Sequence, residues 1–106
     1  MADEKHITVE GNGQILGRAT VSPANENNEA LAQLQVASGH LPAGTHQRMA
    51  DALYDALTED RAEHLTACVP RGEAELVEGI RGHLSDVEMR SAGATTIIEG
   101  EIKPAS

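Results

Sequence analysis

His40, His46 and Cys68 are the residues in this chain whose types could support covalent or metal chemistry. A thiol next to an imidazole becomes a nucleophile, and two imidazoles with a thiolate make three ligands of a metal. His40 and Cys68 hold corresponding places in an internal echo. Leu41-Pro42-Ala43-Gly44-Thr45 is matched 28 positions later by Val69-Pro70-Arg71-Gly72-Glu73. Each candidate stands just before the apolar-Pro pair. His64 precedes Cys68 by four residues, so on a strand the two share a face but lie roughly 13 Å apart, too far for joint ligation. No Cys-x-x-Cys or His-Glu-x-x-His spacing is present. An inert thiol beside ordinary loop histidines is therefore the plainer reading. His40 and Cys68 stand as weak catalytic candidates, and no catalytic set, metal or cofactor is assigned.

The other candidate chemistry is anion binding. Helix amino termini present free N–H groups to anions. The first echo opens a helix with Thr45, His46, Gln47 and Arg48 behind the bare backbone of Gly44. The second carries Glu73 and Glu75, which suit the helix dipole and repel a phosphate. A small anion is therefore expected at Gly44, Thr45, His46 and Arg48, if anywhere. Thr45 as a capping residue explains the same pattern without a ligand. Gly11-Asn12-Gly13 precedes a strand rather than a helix, which excludes a phosphate loop. Gly79-Ile80-Arg81-Gly82 imitates an RNA-binding GxxG loop, but its surroundings are acidic and helical.

The elements that position these residues follow from periodicity. Ile7-Thr8-Val9 runs into Asn12-Gly13, a tight-turn pair, and returns through Ile15 to Val21, with Ile15, Ala19 and Val21 on one face. Ser22 to Glu29 reads as a long loop. Leu31 to Ser38 alternates as a third strand, with Leu34 and Val36 on one face and Leu31, Gln33 and Gln35 on the other. Thr45 to about Thr58 has helical spacing, with Met49, Ala52, Leu53, Ala56 and Leu57 in one stripe. Ala62 to Val69 is a fourth strand. Glu73 to Leu84 forms a second helix with Leu76, Val77, Ile80 and Leu84 inward. Its Gly79 and Gly82 weaken it or admit a close neighbour. Val87 to Arg90 and Ala94 to Ile102 read as a terminal pair, and Thr95-Thr96-Ile97-Ile98 as a β-prone segment able to pair at a sheet edge.

The repeated strand-Pro-x-Gly-helix pattern predicts parallel neighbours joined by crossovers. The expected fold is a two-layer α/β sandwich: an N-terminal β-hairpin, then βαβαβ(β), with both helices on one face of a mixed sheet. The other face stays partly open. One domain is expected over residues 1–106, with 1–5 and 103–106 frayed.

Composition narrows the partners. The chain has 106 residues, one Tyr, no Trp and no Phe, so its core rests on 21 Leu, Ile and Val residues. Such a core is thin, and association with a second copy would bury more. A net charge of −9 with scattered Arg residues argues against nucleic acid and anionic membranes. One Cys, no long apolar run and a polar start point to a cytoplasmic protein, and Arg outnumbering Lys suggests a bacterial gene. The expectation is a non-catalytic, acidic module that self-associates through its sheet and binds a protein partner. The alternative is a small enzyme or metabolite- or anion-binding protein using His40, Thr45–Arg48 and Cys68 at the strand ends.

Overall fold

The computed structural model describes residues 4–11, 13–37 and 41–104. In chain order it contains β1 (Lys5–Gly11), β2 (Gln14–Val21), β3 (Glu29–Val36), α1 (Thr45–Glu59), β4 (His64–Pro70), α2 (Ala74–Arg81), β5 (Leu84–Ala92) and β6 (Thr95–Ile102). The strands form one six-stranded sheet in the order β1-β2-β3-β4-β6-β5. β3 and β4 are parallel, and every other neighbouring pair is antiparallel. A parallel pair needs a crossover, and α1 provides it. The helices touch each other, α1 lying over β1 and β2 and α2 over β5. Both cover one face of a mixed sheet, as the alternation predicts.

That alternation separates the faces. Ala30, Ala32, Leu34, Leu65, Ala67, Val69 and Ile98 are buried beneath the helices. Leu31, Gln33, Gln35 and His64 lie exposed on the opposite face. β2 departs from the simple pattern: Leu16 is buried and Ile15 is exposed. The cause is a bulge. Val9 pairs with Gly17 and Glu10 with Ile15, so Leu16 is the unpaired extra residue and swings inward.

α1 buries Met49, Ala50, Leu53, Ala56 and Leu57. Ala50 replaces Ala52 in the expected stripe because α1 packs sideways on α2. A Cβ added at Gly79 would stand 3.0 Å from the Ala50 Cβ, so this glycine permits the close approach. α2 stops at Arg81, short of the expected Leu84. Gly82 and His83 turn the chain, and Leu84 starts β5 while remaining buried.

The final strand corrects the sequence reading most. β6 lies between β4 and β5, with Ile98 opposite both Ala67 and Met89. Its β-prone segment is interior and fully paired, so it offers no edge to a second copy. The free edges are β1 and β5.

The loop from Ser22 to Glu29 is built by its own side chains. Asn25 Oδ1 accepts the amides of Asn27 at 2.8 Å and Glu29 at 3.0 Å, and Ser22 Oγ accepts the Leu31 amide at 2.9 Å. The residues that mark it as a loop are those that order it. Of the tails expected to fray, Lys5 pairs with Val21 in β1 and sets Nζ 3.1 Å from Asp60 and 3.2 Å from Glu59. The Lys103 amide donates to the His83 carbonyl at 3.0 Å. Residues 1–3 and 105–106 lie outside the described residues, as does Asn12 of the hairpin turn. Among the described residues no helix is long and apolar enough to cross a membrane.

A polar tether joins α1 to the end of α2. The Tyr54 ring stacks on His83 with centroids 4.2 Å apart, and the Tyr54 hydroxyl donates to the Lys103 carbonyl. His83 Nε2 lies 2.9 Å from Asp51 Oδ1. This contact with His83, then one from Gln47, holds the Asp51 carboxyl below its usual range.

Two outcomes follow. Helix propensity alone makes Gly79→Val stabilising by a few tenths of a kcal/mol, whereas packing against Ala50 makes it destabilising by about 1–3 kcal/mol. We expect the second sign in urea unfolding. Because the folded state depresses the Asp51 carboxyl, its contribution is present above the ordinary carboxylate range and is lost as pH falls through the folded value. Both side chains are partly solvated, so Asp51→Asn should remove about 0.5 kcal/mol or less near neutrality. The acid limb of its stability–pH curve should be correspondingly flatter.

Candidate functional site

The ladder between β3 and β4 ends where Gln33 faces Cys68, although β3 continues to Val36 and β4 to Pro70. The only parallel pair in the sheet therefore parts at its carboxyl end, the end at which open α/β sheets bind ligands. α1 and α2 begin side by side there, as contacts between their first turns show. A recess of about 220 Å³ opens at the same end of β3, lined by Gly17, Arg18, Gln35 and Val36.

Among the described residues no side chain caps the start of α1. Gly44 occupies the cap position with φ of 85°, a left-handed conformation that favours glycine. Thr45 is not the cap. Its hydroxyl is fully buried and donates back to the Pro42 carbonyl at 2.7 Å. Pro42 also accepts the Thr45 amide at 3.2 Å, and Gly44 accepts the Arg48 amide at 2.9 Å. The amides of His46 and Gln47 have no acceptor among the described residues. The first turn of α1 contains no acidic residue.

His46 is spoken for. Its Nε2 lies 3.2 Å from Glu73 and its Nδ1 3.2 Å from Glu75, both at the start of α2. Arg48 extends the other way and donates to the Glu10 carbonyl at 3.3 Å. Of the anion candidates, Gly44 and Arg48 therefore flank the free amides, Thr45 is internal, and His46 faces carboxylates. The sequence assigns Glu73 and Glu75 only to the dipole of their own helix, not to His46. The internal echo was the available signal for the correction, because it sets the two helix starts in equivalent places.

Cys68 lies half-buried on the open face of the sheet, opposite α1. It cannot share a metal with His46, which sits on the helical side. His40, its expected partner, lies outside the described residues. Among the described residues no group of three ligating side chains is suited to a metal. A second recess, of about 250 Å³, lies at the amino end of β4 and is lined by Glu29, His64, Asp86, Glu88, Glu99 and Glu101. Its carboxylates make it hostile to an anion.

No family model matches this sequence, and no curated protein matches it. Solved structures match its fold. A ribosomal-protein-alanine N-acetyltransferase from Brucella melitensis aligns with a TM-score of 0.65 at 17% identity, covering 93% of this chain and 68% of its own. An acetyltransferase of the GNAT family from Streptococcus pneumoniae gives 0.66 at 11% identity, covering 96% and 68%. A candidate acetyltransferase from Salmonella typhimurium, solved with its cofactor acetyl-CoA, gives 0.64 at 11%, covering 94% and 64%. This chain thus spans about two thirds of the length of these structures. This likeness corrects the expectation of a non-catalytic interaction module: the structures sharing its fold are acetyltransferases, which fits the small-enzyme alternative better. The chain has the fold of GNAT acetyltransferase domains.

Proposed function

We propose that this chain is the acyl-CoA-binding part of an N-acyltransferase, with the diphosphate of the acyl donor at the start of α1 and its acyl end between the parting strands. One observation carries the reading. The parallel pair β3/β4 opens beyond Gln33 and Cys68 beside a helix start whose His46 and Gln47 amides are free among the described residues.

The residues present fit such a ligand. Two unsatisfied amides and the positive end of the helix dipole suit a diphosphate, and no first-turn carboxylate opposes it. Arg48 adds a cation beside them and, among the described residues, its side chain makes one carbonyl contact, at 3.3 Å. Gly44 carries no side chain to block the approach. The net charge of −9 opposes a polyanion, so binding depends on these local groups. Acyl-CoA supplies an activated acyl group for transfer to an amine. Gln33, Gln35 and Cys68 occupy the open face at the parting and would line the approach of that amine. A cytoplasmic setting, where a lone thiol remains reduced, fits the same reading.

CoA should raise the melting temperature in proportion to the logarithm of its concentration, with stabilisation near 2.7 kcal/mol at about a hundredfold excess over Kd. Its addition should shift the Gly44–Arg48 amide resonances. Millimolar CoA that moves neither the melting temperature nor those amides would exclude the site. Arg48→Glu should weaken CoA binding by about tenfold while changing stability by about 0.5 kcal/mol or less, as measured by calorimetry and urea unfolding. Gly44→Ala must adopt a positive φ, and we expect it to lose roughly 1–2 kcal/mol of stability.

A further inference from the structure

The bulge in β2 places two unlike side chains together. Strict alternation puts residues three apart, such as Ile15 and Arg18, on opposite faces of a sheet. The extra residue, Leu16, returns them to one face: Ile15 pairs with Glu10 and Arg18 with Thr8, and all four are exposed. Gly17 fixes the bend against α1, since a Cβ there would collide with the Met49 sulfur. Ile15, 42% exposed, and Arg18 thus flank the recess of about 220 Å³ at the end of β3, with Gln35 directly opposite Arg18. Among the described residues the Arg18 side chain meets no carboxylate or carbonyl, whereas Arg90 on the same face lies 3.1 Å from Glu99. Gln33, on the last rung with Cys68, precedes Gln35 by two residues on that face, about 7 Å along the strand.

We propose that this recess is the acceptor subsite and that the acceptor is a small α-amino acid with an apolar side chain. Its carboxylate meets the Arg18 guanidinium and the Gln35 side-chain amide. Its side chain lies against Ile15, and its nitrogen faces the parting of β3 from β4. The inference rests on the acyltransferase reading and adds the substrate class. Three features select that class. A guanidinium without a partner takes a carboxylate through paired, charge-assisted hydrogen bonds. An exposed isoleucine beside it rewards an apolar group. The recess is smaller than the roughly 300–1,000 Å³ of drug-sized pockets, which suits a single amino acid. An amino-acid zwitterion is also neutral overall, so the net charge of −9 does not oppose its approach. In transfer, the nitrogen first loses one proton to water. It then bonds to the acyl carbon as the bond from that carbon to sulfur breaks, and a second proton leaves with the thiol.

Binding is measured with and without CoA. L-leucine at millimolar concentration should shift the backbone amide resonances of Ile15, Arg18 and Gln35. L-leucinamide, which keeps the amine and side chain but lacks the carboxylate, should leave them in place. In calorimetry Arg18→Gln should weaken leucine binding by roughly ten- to a hundredfold, the size of a charge-assisted contact. Ile15→Ala should weaken it by about fivefold through lost apolar contact. Both side chains are exposed, so urea midpoints should stay at the wild-type value, and CoA affinity should change by less than about twofold. Leucine that shifts none of these amides, with or without CoA, overturns the proposal, as does leucinamide binding equally well. A wild type that binds CoA but not leucine sinks this inference alone. Leucine binding by a protein that does not bind CoA overturns the acyltransferase reading and the acceptor role with it.

Discussion

The parallel pairing of β3 with β4 is the constraint from which the rest of the molecule follows. It demands a crossover, so α1 must leave one end of the sheet and return at the other. Its rungs run from Glu29 opposite His64 to Gln33 opposite Cys68, and there they stop. Small residues dominate its buried side, where Ala30, Ala32 and Ala67 are all covered. On its other neighbours the sheet is antiparallel and continuous: β2 is paired up to Val36, and β6 up to Pro70. The strands are thus held firmly on their outer flanks and released only from each other. An opening of this kind, bordered by the first turns of two helices, is a place where a ligand meets backbone groups rather than side chains.

Histidine–carboxylate contacts tie the helical layer together at both ends. His46 joins the amino ends of α1 and α2, and His83 joins the middle of α1 to the turn after α2. Between them Ala50 and Gly79 allow the helices to approach closely. The core contains no Phe or Trp, so these polar ties and one Tyr–His stack supplement aliphatic packing in fixing how α2 sits. The same ties lie next to the candidate site at one end only.

The fold was largely legible in the sequence because its signals are local. Alternating apolar residues in Leu31–Val36 and Leu65–Val69, the helical stripe of Met49, Leu53 and Leu57, and the Pro-x-Gly breaks each act within a few residues. The misreadings arose where a neighbour decides. Leu16 and Ile15 exchanged faces because β1 imposes a bulge on β2. Thr45 looked like a cap, but Gly44 holds the cap position and the Thr45 hydroxyl donates back to the Pro42 carbonyl. The carboxylate contacts of His46 were missed because its partners lie 27 and 29 residues away.

By itself the chain determined the number and kind of its elements, the parallel sense of the two echoing strands and the face each buries, since periodicity and turn chemistry are properties of short segments. Only the tertiary structure decided that β6 threads between β4 and β5, that β3 and β4 part beyond Cys68, and that Glu73 and Glu75 close on His46. Those outcomes depend on distances between residues far apart in sequence. Local propensity cannot encode such distances, because they exist only once both helices have packed on one sheet.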